Sequence, residues 1–370
     1  MITADKRKTR VRLSFPTGFE SGGSPVFSID TPMDFLPEDI GEFDIAAAKT
    51  ACALSFSSVS RAMLTANLNA LGYGDIEYKT NRPNRDAAGM VIASRAENNL
   101  LHTAVVIDGS EGEDWLSNFD IGFSAEHRGF SRAADFAELS LGEYIFTRAI
   151  GSQPRFFITG CSRGGAIADI LAKRLCERYG SDSVLAYTVA SPRVTISRRT
   201  ARFGCIFNLV RDEDFFTRIP PESWGYSRYG HDIRLKTGEN FKALFASISG
   251  REYIGFDSSG PIDDILRTLT ELAPNPVAYY RRRRDSGGGK LSLYEFMNHI
   301  ADALSSNDPG NTAEALASAF LSDYADLLTF ISSGADIGEL SSSAGAAPRC
   351  SVTDSHSPAA YAAAIGDLLY

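Results

Sequence analysis

The chain has 370 residues, 44% hydrophobic and 22% charged, a composition ordinary for a globular protein with room for a large core. Its net charge of -9 gives no general reason to expect nucleic acid as a partner. No run approaches the ~18 apolar residues of a membrane span, so no transmembrane segment is expected.

Residues 1–40 read as an irregular N-terminal segment, punctuated by Gly22-Gly23, Pro25, Pro32 and Pro37. Residues 1–15 are rich in Lys and Arg but hold no apolar stretch, so no signal peptide is visible. That favours the cytoplasm, and secretion stays open if a leader has been removed. The remainder, residues 41–370, reads as one catalytic domain. Residues 44–70 form an Ala-rich helix pattern closed by Leu71-Gly72-Tyr73-Gly74. Residues 90–93 and 103–107 read as strands, and residues 136–150 as a helix.

The most informative stretch is residues 155–172. A short apolar strand leads into Gly160-Cys161-Ser162-Arg163-Gly164, and Ala166, Ile167, Ile170, Leu171 and Leu175 then recur at helical spacing. G-x-S-x-G alone is a weak signal, because Gly and Ser are common. Between a strand and a small-residue helix it becomes the nucleophile elbow of an α/β-hydrolase. The turn projects the Ser162 hydroxyl, and the helix N-terminus aims free N–H groups at a developing oxyanion. Cys161 reads as a small apolar residue beside Ser162, with a reactive thiol as the alternative.

Residues 184–190 and 205–210 are further β-rich runs. Strands interleaved with helices predict a mainly parallel central sheet with helices on both faces. Beyond the second run stand Arg211-Asp212-Glu213-Asp214 and, after Phe215 to Ile219, Pro220-Pro221. An acid at the carboxyl end of a parallel strand is where a triad carboxylate belongs, and by position alone three acids compete.

A helical insertion is expected over about residues 237–350, containing Arg281-Arg282-Arg283-Arg284, a Ser-Gly-Gly-Gly-Lys run at 286–290 that lacks phosphate-loop spacing, and a small, polar connector at 341–347. Five cysteines, Cys52, Cys161, Cys176, Cys205 and Cys350, show no C-x-x-C spacing, which argues against a zinc site or a disulfide framework. No metal and no cofactor is implied.

Five histidines compete for the general base. His102, His127 and His231 precede the serine or follow the acid too closely. His299 sits in a helical pattern. His356 sits in Asp354-Ser355-His356-Ser357-Pro358, a polar loop before a terminal helix opened by proline, and it is preferred over His299.

Residues from about 100 to 230 resemble the class 3 lipases. Ala104-Val105-Val106-Ile107-Asp108-Gly109-Ser110, followed by Asp114-Trp115-Leu116, is similar to the family's oxyanion strand and the start of its lid. His127-Arg128-Gly129-Phe130, the elbow, Ala190-Ser191-Pro192-Arg193-Val194 and the stretch from Asp214 to Pro221 are similar to further blocks, in the family's order. Cys161 and Arg163 stand where the family usually has His and Leu, and Asp108-Gly109 replaces its usual Arg-Gly.

The resemblance implies a carboxylic ester hydrolase working through an acyl-enzyme. Asp214 becomes the acid, Ser110 and the Arg163 N–H the oxyanion hole, and residues 111–123, with Trp115 and Phe119, either a lid or packing over the core. It also supports His356, since in bacterial and plant members the base precedes a tyrosine by five residues. The expected substrate is a small-molecule or lipid ester, with transient contact at a lipid interface. An acyltransferase or amidase on the same triad, or a binding protein that kept the fold, are the alternatives.

Overall fold

The computed structural model describes residues 9–18, 24–37, 39–81, 88–109, 124–220, 222, 225–253 and 352–368. Its centre is a seven-stranded sheet in the order β3 (Gly74–Thr80), β4 (Gly89–Glu97), β5 (Leu100–Ile107), β6 (Gln153–Cys161), β7 (Val184–Val189), β8 (Ile206–Val210), β9 (His231–Arg234). The pairs from β5 to β9 are parallel, whereas β3, β4 and β5 are joined antiparallel. Every residue of β7 and β8 is buried, as expected of parallel strands covered on both faces.

Helices α3 (Arg128–Arg148) and α4 (Arg163–Tyr179) cover one face. The other face carries α1 (Ile45–Ser57), α2 (Arg61–Ala70), α5 (Phe241–Ser249) and α7 (Pro358–Asp367). A short helix, α6 (Val352–His356), precedes α7. Tyr187 and Phe207, stacked at 5.0 Å between centroids, lie on this second face. Such pairs contribute about 0.5–1.5 kcal/mol beyond the area they bury.

Two sequence expectations need correction. The N-terminal segment read as irregular holds an antiparallel hairpin, β1 (Arg10–Pro16) and β2 (Val26–Pro32), whose Leu13 and Phe15 are buried against the second face. The helix expected over 44–70 is two. Asp44 caps α1 by accepting from the Ala47 N–H at 2.9 Å. Ser60 takes an extended backbone and caps α2 by accepting from the Met63 N–H. A serine in that conformation ends one helix and starts another.

Strand β3 has no counterpart among the expected elements, and α3 begins eight residues before the expected start at 136. Of the expected insertion, residues 237–253 are described and include α5. The remainder, with His299, the arginine run and the 341–347 connector, lies outside the described residues, as do Ser110 and residues 111–123. Among the described residues, no helix is long and apolar enough to cross a membrane.

Candidate active site

Strand β6 passes into helix α4 through the single residue Ser162, at φ 56 and ψ -124. A non-glycine residue with positive φ is held against a strain of about 1–3 kcal/mol, so its surroundings must fix it. They do. The Ser162 N–H donates to the Val189 carbonyl at 2.9 Å, and its own carbonyl accepts from the Ala166 N–H at 3.1 Å.

Glycines make the close approach feasible. A Cβ on Gly160 would strike the Gly164 carbonyl, and one on Gly164 would strike the carbonyls of Ile107 and Asp108. The end of β5 therefore crosses directly over the start of α4, bringing Asp108 and Gly109 beside the elbow. Ser162 itself is half-buried. Its neighbours Cys161 and Arg163 are buried. Burial, then the nearby Cys52 and Asp214, pushes the Cys161 thiol well above its ordinary pKa, so the thiolate is suppressed.

Past the end of β8, the three competing acids part company. Asp212 lies at the surface and accepts from Arg234 at 2.6 Å. Glu213 turns to the buried Arg211, whose Nη2 donates to it at 2.7 Å. Asp214 is fully buried and opens a short 3-10 turn, Phe215–Arg218, where its Oδ1 accepts from the Phe216 N–H at 3.0 Å. Its Oδ2 accepts from His356 Nδ1 at 2.8 Å and from the Tyr361 hydroxyl at 2.7 Å.

His356 ends α6. Ser357 breaks the helix there, donating to the Asp354 carbonyl at 2.7 Å and capping α7 through the Ala360 N–H at 3.2 Å. The imidazole packs against Phe216 at 4.5 Å between centroids. With Nδ1 donating to a carboxylate, Nε2 is left as the basic nitrogen. Tyr361 is fully buried, and burial followed by the charge of Asp214 holds its phenol protonated, so it remains a donor.

The other described histidines sit elsewhere. His127 is buried at the start of α3 and stacks on Phe130 at 4.0 Å. His231 opens β9 with its side chain exposed. His102, on β5, borders a hollow of about 640 Å³ that also touches Leu36, Arg155 and Leu185 and shares no residue with Ser162, Asp214 or His356. Cys176 and Cys205, far apart in sequence, meet with their sulfurs 3.3 Å apart, a proximity that motif spacing does not reveal. Among the described residues, no group of three or more His, Cys, Asp or Glu could hold a metal ion.

Residues 104–224 match the family described as lipase (class 3). The match spans about a third of the chain. The sheet around the matched residues is mainly parallel, with helices packed on both faces. No curated protein matches the chain. Among solved structures, it is similar to the triacylglyceride lipase of Rhizomucor miehei at 18% identity, covering 52% of this chain and 79% of that one with a TM-score of 0.38. Lipase II from Rhizopus niveus is 18% identical over 52% of this chain and 77% of its own, with a TM-score of 0.39. The lipase from Rhizopus microsporus var. chinensis is 19% identical over 52% and 73%, also at 0.39. The matched residues include Ser162 and Asp214. His356 lies 132 residues beyond their end at 224.

Proposed function

We propose that the chain hydrolyses carboxylic esters, small-molecule or lipid, through Ser162, His356 and Asp214. The Ser162 hydroxyl attacks the ester carbonyl while His356 Nε2 accepts its proton. The same nitrogen then returns that proton to the departing alcohol, leaving the acyl group on Ser162. Water, deprotonated by His356, releases the acid and restores the serine. Asp214 holds the imidazole in the Nδ1–H tautomer and stabilises the imidazolium as it forms. The backbone N–H groups of Arg163 and Ser110 are assigned to the oxyanion.

One observation carries this reading. The His356 ring donates to the Asp214 carboxylate at 2.8 Å across 142 residues of chain, in a protein whose elbow serine adopts a strained, positive-φ conformation. A histidine that served only to fill space would not need a fully buried carboxylate with two further donors.

The test uses a fluorophosphonate probe and p-nitrophenyl butyrate. The probe is expected to modify Ser162, and Ser162→Ala is expected to lose several orders of magnitude in kcat. Modification at Cys161 with hydrolysis surviving in Ser162→Ala would overturn the assignment.

A further inference from the structure

The acid and the base come from distant parts of the chain, and each has a neighbour that is also tied down. Tyr253 joins those neighbours. Its hydroxyl donates to Glu213 Oε2 at 2.6 Å, next to Asp214 in sequence. It lies 3.1 Å from Ser355 Oγ, next to His356. Arg211 Nη2 donates to it at 3.1 Å. A phenol has one proton to give and two lone pairs to fill. With the proton on Glu213, Ser355 must be the donor to Tyr253, and all three capacities are used.

The phenol is fixed from behind. Its ring meets Phe241 edge-on at 4.8 Å and Phe245 at 4.9 Å, both on α5. Glu213 is fixed from the other side, by Arg211 at 2.7 Å and Thr237 Oγ1 at 2.7 Å. The Arg211 guanidinium lies 4.2 Å above the Phe241 ring and is almost fully buried. Burial pushes the Tyr253 pKa up to about 12, so the donated proton stays in place across the working range of an esterase. Arg251 also reaches the buried Asp354, but from an exposed position.

Together these bonds close a ring. One link is direct, His356 to Asp214. The other runs through Glu213, Tyr253 and Ser355. A five-residue helix such as α6 is too short to hold its own geometry in isolation. Contacts from outside it must therefore hold the base, for which a displacement of about 1 Å is costly.

We propose that Tyr253 is a positioning residue for the base, acting through Ser355 on one side and Glu213 on the other. This rests on the reading of His356 as base and Asp214 as its carboxylate. Tyr253 touches no reacting atom. It sets the approach of α6 to the acid loop, and so the angle at which the imidazole meets Ser162.

The experiment compares Tyr253→Phe, Ser355→Ala, the double variant and His356→Ala in the full-length protein with p-nitrophenyl butyrate. Tyr253→Phe keeps the ring packed on Phe241 and Phe245 and removes only the hydroxyl. It is expected to lower kcat about tenfold with KM changed less than about twofold, because the base is displaced while the substrate pocket is not. Ser355→Ala is expected to act similarly, and the double variant to be no worse than either single one, since both cut the same link. Unchanged kcat in Tyr253→Phe, with only a lowered Tm, would overturn the proposal, as would losses that multiply in the double variant. His356→Ala separates the two readings. Hydrolysis surviving in that variant removes the base assignment itself, whereas its loss beside a fully active Tyr253→Phe removes only the positioning role.

Discussion

Tyr361 and His356 share one acceptor. The Tyr361 hydroxyl donates to Asp214 Oδ2 at 2.7 Å, and His356 Nδ1 approaches the same oxygen at 2.8 Å. Both donors come from one short stretch, because Ser357 ends α6 and begins α7, so that residues five apart turn back onto one carboxylate. The carboxylate therefore cannot rotate without breaking two charge-assisted bonds, each typically worth about 1.5–3 kcal/mol.

Tyr361→Phe tests that relationship. The variant leaves the ring in its buried site and removes one donor from Asp214. Activity towards p-nitrophenyl butyrate is expected to fall about tenfold, reflecting a lost bond to a buried charge rather than a lost catalytic group. Wild-type kcat in this variant would mean that His356 and the Phe216 N–H hold the carboxylate unaided.

The three adjacent acids offer a sharper comparison. Asp214→Asn is expected to lower kcat by about 10³ to 10⁴, because the amide supports the wrong imidazole tautomer. Asp212→Asn removes only a surface pair with Arg234, and exposed pairs contribute about 0–1 kcal/mol, so its kinetics should match the parent. Steady-state rates of the two variants, measured side by side, decide the matter. A large loss in Asp212→Asn with a mild one in Asp214→Asn would reverse the assignment.

What the sequence revealed depended on whether a signal was local. The elbow was legible because strand, turn and helix are contiguous and the two glycines mark a backbone contact. Strands β7 and β8 were legible as unbroken apolar runs. Strand β3 was not, because it is an edge strand bearing Asp75, Glu77 and Lys79, which reads as loop. The hairpin of β1 and β2 was hidden by prolines and by half-buried alternation. Asp212, Glu213 and Asp214 look alike in sequence. They differ through Arg234, Tyr253 and His356, partners that arrive from 22, 40 and 142 residues away. The five-residue spacing from His356 to Tyr361 is plain in the sequence, but its meaning rests on the helix break at Ser357. Nothing local marked Arg211 or Tyr253.

Asp169 provides a pH-dependent expectation away from the site. It lies fully buried on α4, with Oδ2 accepting from the Tyr229 N–H at 3.1 Å. Burial raises its pKa well above the ordinary value, outweighing the Tyr229 N–H and Arg228, which lower it. The folded protein therefore keeps this proton after the unfolded chain has released it near an ordinary carboxylate pKa of about 3.9. Since the folded state then binds more protons, stability falls as pH rises from about 4 through the elevated folded value. Asp169→Asn preserves an acceptor for Tyr229 but has no proton to lose. Its Tm relative to the parent should be similar near pH 4 and should climb as the pH is raised to 8, which thermal unfolding followed by circular dichroism at both pH values would measure. A Tm difference that stays flat between them would mean that Asp169 ionises in the folded protein as it does in the unfolded one.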